Sequence, residues 1–352
     1  MKKTLLFLTC MAIGQLSAQT LQSESFNALT IGNVGTDITG TTAGQGGWLT
    51  YAENGAAGTS STNANNSNFQ IVVSGFNSTN GLQFIGPNGN AGGRYMWKDG
   101  LGAAWASRTA GNNNIEVEFD FYTGAVTTST SQVGLRIYGL DGSTYRTLTG
   151  FSYITNTRVL SGVAYLNNSG TLGTYSITLQ SGGLVLNANT WYRIGVGYNT
   201  TNGQPYWKIN STSSTITLTN SAFYTGPFSP VEVDFLQVAP TTNSTTATLI
   251  FDNYIAKATA TDNLLGNEAF SSEIGGTLAI YPNPVNDVLN IKTETLNIES
   301  VQIYDVNGRV VKDIEGTDSN NQVNVVDLES GVYMIKIVTD EGSSTTKKFI
   351  KQ

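Results

Sequence analysis

The chain has no histidine and a single cysteine, Cys10, among 352 residues. Serine–histidine–carboxylate hydrolysis, cysteine proteolysis, histidine-ligated zinc and histidine-ligated haem each lose a required residue. Charge is also sparse, at 12% of residues, and proline occurs only seven times. The one notable apolar run, Leu5–Ile13, is too short to span a bilayer, and no other run reaches that length. What these absences leave open is carboxylate chemistry, oxygen-ligated cations and plain binding.

The first residues read as an export signal. Lys2 and Lys3 precede the apolar run, and Ser17–Ala18 offers small residues for cleavage, so residues 1–18 are expected to be a signal peptide. Cys10 leaves with it, and the mature chain then has neither thiol nor disulfide. Without Lys2 and Lys3 there remain 16 basic against 25 acidic residues, a net charge of −9. Such a surface repels phosphate backbones, so no nucleic-acid partner is expected. No transmembrane segment is expected in the mature chain.

Charge divides the mature chain into two regions. Residues 19–269 hold 22 charged side chains, whereas the much shorter 270–352 holds 19. All five tryptophans (Trp48, Trp97, Trp105, Trp191, Trp207) lie in the first region. The spans expected are a cargo domain over 19–258, a small-residue linker over 259–277 and a C-terminal domain over 278–352.

The cargo alternates apolar and polar residues in short stretches. Ile115–Tyr122, Val133–Leu140, Trp191–Tyr198, Val231–Val238 and Ala247–Ala258 are among them, bounded by Asn-, Gly- and Ser-rich turns. Strands without helices between them predict an all-β, two-sheet sandwich, because each sheet must bury one apolar face. Asn189–Val196, followed by Gly203 and Tyr206–Asn210, resembles the central hairpin of concanavalin-like and laminin G-like jelly-roll domains. That resemblance selects a large jelly roll among sandwich types.

The C-terminal region carries a more specific pattern. Ile280-Tyr281-Pro282-Asn283-Pro284-Val285 leads into Asp287–Ile291, then Val301–Val311, Leu328–Ile337 and Thr346–Lys351. Asn307-Gly308 and Ser330-Gly331 supply tight turns, and the two prolines cannot donate hydrogen bonds ahead of the first strand. A small immunoglobulin-like sandwich is expected. Residues 278–352 resemble the type A C-terminal sorting domain of the type IX secretion system of Bacteroidetes. The resemblance implies recognition by the translocon, its shuttle and a sortase, followed by removal of the tail. The cargo is then released or attached at the outer-membrane surface.

Three constellations in the cargo carry candidate chemistry. Glu116, Glu118 and Asp120 alternate on one strand, with Ile115, Val117, Phe119 and Phe121 on the other face. Crowded carboxylates can act as acid and nucleophile on a glycosidic bond, and solvated acids on a half-buried strand are the plainer reading. Glu232 and Asp234 repeat the pattern. Glu24 and Asp252, near the first and last strands, resemble positions where jelly-roll modules hold a structural calcium. Tyr95, Trp97 and Trp105, in a Gly/Ala-rich stretch with Arg94, Lys98, Asp99 and Arg108, suit stacking on sugars. The reading is therefore a secreted or surface-displayed sandwich that binds polysaccharide or cell-surface glycan or mediates adhesion. The alternatives are a carboxylate-dependent glycoside hydrolase or related polysaccharide-degrading enzyme, and a structural envelope component.

Overall fold

The computed structural model describes residues 18–55, 62–211, 215–265, 279–292, 298–306, 308–315, 321–339 and 344–352. The expected signal peptide, apart from Ala18, lies outside the described residues, as do residues 266–277 of the expected linker. The chain forms two compact units, one taking in residues up to Glu24, 32–70 and 83–265, the other 25–31, 71–82 and 266–352. Secondary structure is almost entirely β, as the alternating segments predict.

Two antiparallel sheets make the large sandwich. Among the described residues the first runs Ile216–Thr217, Gln204–Ile209, Trp191–Asn199, Asn114–Tyr122, Thr248–Thr259, Gly81–Ile85, Phe69–Val72 and Gly32–Asn33, with Gln19–Glu24 also pairing with Thr248–Thr259. The second runs Thr171–Thr178, Val159–Asn168, Thr144–Ile154, Gln132–Asp141, Pro230–Val238, Gly93–Lys98 and Trp48–Glu53, with Leu184–Val185 at its side. Neighbours distant in sequence, such as Asn114–Tyr122 beside Thr248–Thr259, are what a jelly roll requires. The first sheet is nine-stranded and the second eight-stranded.

The core between them is aromatic. Phe119 of the first sheet stacks on Phe151 of the second at 5.1 Å, and Phe251 meets Phe235 edge-on at 4.8 Å. Tyr254 meets Trp48 at 5.8 Å and Phe121 meets Tyr153 at 5.2 Å. Each fully buried ring contributes about 1.5–3 kcal/mol by leaving water, with more from edge-to-face geometry. Of the two hairpin tryptophans expected in the core, Trp207 is buried and donates from Nε1 to the Gly150 carbonyl of the other sheet at 2.7 Å. Trp191 is only half-buried, beside Tyr122 at 5.3 Å.

The C-terminal unit carries the strands its motifs predict. One sheet joins Ala279–Tyr281, Val288–Lys292 and Gln322–Asn324, and another joins Val310–Glu315, Ile298–Tyr304, Gly331–Thr339 and Ser344–Lys351. Their apolar faces meet in a core that includes Leu289, Ile291, Val301, Ile303, Ile335, Ile337 and Phe349. Gly308 adopts the positive φ its turn needs, at 78°, while Asn307 lies outside the described residues. Flanked by prolines that cannot donate, Asn283 ties the leading segment to the last strand through its side chain. Its Nδ2 donates to the Lys348 carbonyl at 3.1 Å, and its Oδ1 accepts from the Ile350 amide at 2.9 Å.

Candidate functional site

The expected acid row on Asn114–Tyr122 has its alternation right and its setting wrong. Ile115, Val117, Phe119 and Phe121 fill the core, but Glu116, Glu118 and Asp120 are themselves buried, neither solvated nor lining a cleft. Neighbouring strands supply the cations that make this tolerable. Lys257 Nζ lies 2.8 Å from Glu118 Oε1 and 3.9 Å from Glu116 Oε2. Arg193 reaches Glu118 Oε2 at 3.3 Å and Asp120 Oδ2 at 3.5 Å, and Asn253 Nδ2 donates to Asp120 at 2.8 Å.

The chain then folds over the row. The Asn263 amide donates to Glu116 Oε1 at 2.7 Å and the Leu265 amide to Glu118 Oε1 at 3.0 Å, while Leu264 is buried. The segment expected to open a linker therefore packs as part of the cargo through Leu265. Tyr206 Oη adds a hydrogen bond to Glu116 Oε1 at 3.1 Å. Burial pushes the Glu116 carboxyl up to about 7 and raises that of Asp120. This is a paired structural network that a substrate cannot reach without displacing main chain.

The calcium expectation finds a thin donor set. Glu24 sits opposite Tyr254 where Gln19–Glu24 pairs with the last cargo strand, and Trp48 Nε1 donates to its Oε2 at 3.3 Å. Asp252 is fully buried, and its Oδ1 accepts from the Asn253 amide at 2.7 Å. A hard cation wants six to eight oxygens. Among the described residues no group of three or more His, Cys, Asp or Glu side chains is placed to hold a metal.

The aromatic expectation separates. Trp105 is buried on the short helix Leu101–Ala106 with the Arg108 guanidinium 4.0 Å over its ring, so it is a core residue and not a stacking platform. Tyr95 and Trp97 are half-buried on the outer face of the eight-stranded sheet, opposite the face that carries Met96 into the core.

Register brings other residues to that face. Leu49, Trp97, Asp234, Arg136 and Gly150 lie abreast on five adjacent strands. Tyr51, Tyr95, Leu236, Gly134 and Ser152 form the next rung. Glu232 and Tyr138 face each other on the far side of Asp234 and Arg136. The rings of Tyr51 and Tyr95 lie 6.0 Å apart, those of Tyr138 and Tyr145 6.1 Å apart.

Small residues flatten this surface. A methyl at Gly93 would fall 2.5 Å from the Tyr95 ring, and one at Gly150 would fall 2.9 Å from Arg136 Cδ. Tyr95 and Arg136 thus lie along the sheet instead of standing off it. The Arg136 Nη1 donates to the main-chain carbonyls of Leu135, at 3.0 Å, and Phe151.

Electrostatically the face centres on a carboxyl pair. Asp234 is more than nine-tenths buried, no donor reaches its Oδ1, and Glu232 lies within hydrogen-bonding reach. Burial, then the neighbouring Glu232 charge, pushes Asp234 up to about 8, and burial also raises Glu232. Two carboxyls this close cannot both ionise near neutral pH, so they share a proton as one titrating unit. Burial raises the phenols of Tyr95 and Tyr138, which stay protonated and able to donate. From sequence, Glu232 and Asp234 read only as a repeat of the solvated-acid pattern, and Arg136 and Tyr138 escape notice. Alternation in Arg136-x-Tyr138 and Glu232-x-Asp234 marks an outward face, but only the pairing of two strands almost a hundred residues apart puts them together.

A cleft of about 460 Å³ lies elsewhere, beside Gln83, Tyr122, Thr127, Asn189 and Thr248. Its lining carries no charged side chain.

Comparison with known proteins bears first on the tail. Residues 279–352 match the family described as the secretion system C-terminal sorting domain. The tail is a type IX secretion sorting domain that engages the secretion machinery, and the protein is exported to the cell surface or beyond it. No helix among the described residues is long and apolar enough to cross a membrane. A 100-residue stretch is 29% identical to an endo-acting ulvan lyase of Formosa agariphila, covering 28% of this chain and 19% of that enzyme. The chain thus spans about a fifth of the length of the curated relative it matches.

Among solved structures, a family 7 alginate lyase aligns with 55% of this chain and 83% of its own, at 11% identity and a TM-score of 0.39. A botulinum neurotoxin serotype D/C binding domain covers 93% of this chain and 74% of its own, at 13% and 0.39. A Trypanosoma rangeli sialidase covers 67% and 35%, at 11% and 0.32. Likenesses at this level carry no argument about activity.

Proposed function

We propose that the exported cargo holds a polysaccharide along the outer face of its eight-stranded sheet without cleaving it. The observation that carries this reading is the half-buried rings of Tyr51, Tyr95 and Trp97 flanking Asp234, whose Oδ1 lacks a donor. Flat rings stack on the C–H faces of sugars, and a sugar hydroxyl would satisfy an acceptor whose isolation costs about 1–3 kcal/mol. The test is retention of the full exported protein on a polysaccharide panel, with release of new chain ends measured in the same samples. Trp97→Ala should weaken retention at least about tenfold, the loss of one stacked contact of roughly 1.4 kcal/mol. Unchanged retention by that variant would reject the face. Inertness towards every glycan would favour a structural envelope role.

The second reading is a polysaccharide-degrading enzyme working on the same face. The proton-sharing pair of Asp234 and Glu232 favours it, as does the partial likeness to an ulvan lyase, which makes ulvan a natural member of the panel. Carboxyls in hydrogen-bonding reach are closer than the roughly 5–5.5 Å between the acid and nucleophile of retaining glycosidases, so binding stands first. New reducing or unsaturated ends that disappear in Asp234→Asn would reverse that order.

A further inference from the structure

We infer that this face selects glycans bearing protonated amino groups over uronate-rich or sulfated ones, an inference that rests on the glycan-binding reading above. Its basis is which charges on the face are already committed. The Arg136 guanidinium lies along the sheet and donates to the carbonyls of Leu135 and Phe151. Arg94 lies on the strand of Tyr95 and Trp97 but alternates with them towards the opposite face, where it is fully buried and donates to the carbonyls of Glu53 and Gly93 and to Asn63 Oδ1. Arg146 pairs with Asp141 at 3.2 Å and lies over the Tyr165 ring. Arg136 thus has Nη1 taken up by main chain and Arg146 is already paired, so the acids of this face outweigh its cations.

The acids are arranged differently. Glu53 and Asp99 are exposed at the rim, with the Tyr51 hydroxyl donating to Glu53 at 3.0 Å. Glu232 and Asp234 sit between the rings and retain about one negative charge when they share a proton. Asp234 Oδ1 is the group that asks for a ligand, being a deeply buried acceptor without a donor between the rings. An ammonium supplies both the donor and the compensating charge. The rings of Trp97 and Tyr95 beside it stack on the sugar ring whatever its nitrogen carries. A polyanion brought to the same place would meet the like charge of Glu53, Asp99 and the Glu232–Asp234 pair, which the Arg136 charge offsets only in part.

The experiment uses the full exported protein and three probes: chitosan oligosaccharides, their fully N-acetylated counterparts and alginate, in mildly acidic buffer of low ionic strength. The two amino-sugar probes share ring and hydroxyls, so their difference reads the ammonium. Chitosan oligosaccharides should bind at least about tenfold more tightly than the acetylated ones, and added salt should shrink the gap. Glu232→Gln and Asp234→Asn, checked for an unchanged melting transition, should each reduce the preference, whereas Trp97→Ala should weaken both amino-sugar probes alike. Equal binding of the two, or tighter binding of alginate, with retention still lost in Trp97→Ala, overturns the inference and leaves the glycan-binding face standing. No retention of any probe removes that reading and the inference with it.

Discussion

Lys257 Nζ sits 2.8 Å from Glu118 Oε1 across adjacent strands, with both side chains almost wholly out of water. Removing the cation leaves Glu118 with one cation, Arg193, and Glu116 without its nearest positive charge. Lys257→Met should therefore cost about 3–5 kcal/mol, as for other broken buried pairs. Adding Glu118→Gln should recover part of the loss, because the orphaned charge goes too. All five tryptophans lie between residues 48 and 207, so denaturant melts followed by tryptophan fluorescence report this unit. A loss below about 1 kcal/mol would show that the row does not depend on Lys257.

Glu116 gives the cargo a pH dependence with a defined sign. Its carboxyl is raised from 4.5 to about 7, so the folded state holds a proton that the unfolded chain has already released in that window. Stability should fall as pH rises from about 4.5 to about 7 and then level, by up to roughly 3–4 kcal/mol from this group. Asp234, raised to about 8, acts in the same direction over a wider window. Glu116→Gln keeps the oxygen that accepts from Tyr206 and Asn263, and should flatten its share of the slope in fluorescence melts. An identical slope in that variant would place the titration elsewhere.

Gly162 is where the second sheet makes room for Trp207. A methyl there would lie 2.6 Å from the indole. Gly162→Ala should push the ring off its hydrogen bond to Gly150 and cost about 1–3 kcal/mol, the usual range for overpacking. A fluorescence shift with a lowered melting temperature is the expected signature; a wild-type spectrum and melt would contradict it.

In the tail, Asn283→Ala removes both side-chain links between the proline segment and the last strand. The bonds are exposed, so the expected loss is about 0.5–1.5 kcal/mol each and local. Hydrogen exchange should speed up at the Ile350 amide while Ile303 and Ile337, in the core strands, stay protected.

Chelation should leave the cargo's melting temperature unchanged, since among the described residues no three acidic side chains gather to hold a cation. A fall that calcium restores would assign the Glu24 and Asp252 carboxylates to a metal.

Much of this molecule is legible in its sequence. Period-two alternation gives away the strands, because a half-buried sheet forces it, and the sorting tail announces itself through motifs local in sequence. The candidate face does not. Alternation separates the two faces of a strand without saying whether the polar face meets water, a cation or a folded-over segment. Glu116-x-Glu118-x-Asp120 and Glu232-x-Asp234 look alike on paper. One is sealed beneath Asn263–Leu265 and neutralised by Lys257 and Arg193; the other lies among aromatic rings with an unsatisfied oxygen. Trp105 and Trp97, eight residues apart, part in the same way, one into the core and one onto the sheet.

By itself the sequence determined the export route, the all-β class and the chemistry ruled out by lacking histidine. Those depend on composition and short-range pattern. Which carboxylates are structural and which are available was decided only by tertiary pairing. Charge, burial and partner belong to neighbours that the chain brings together from far along its length.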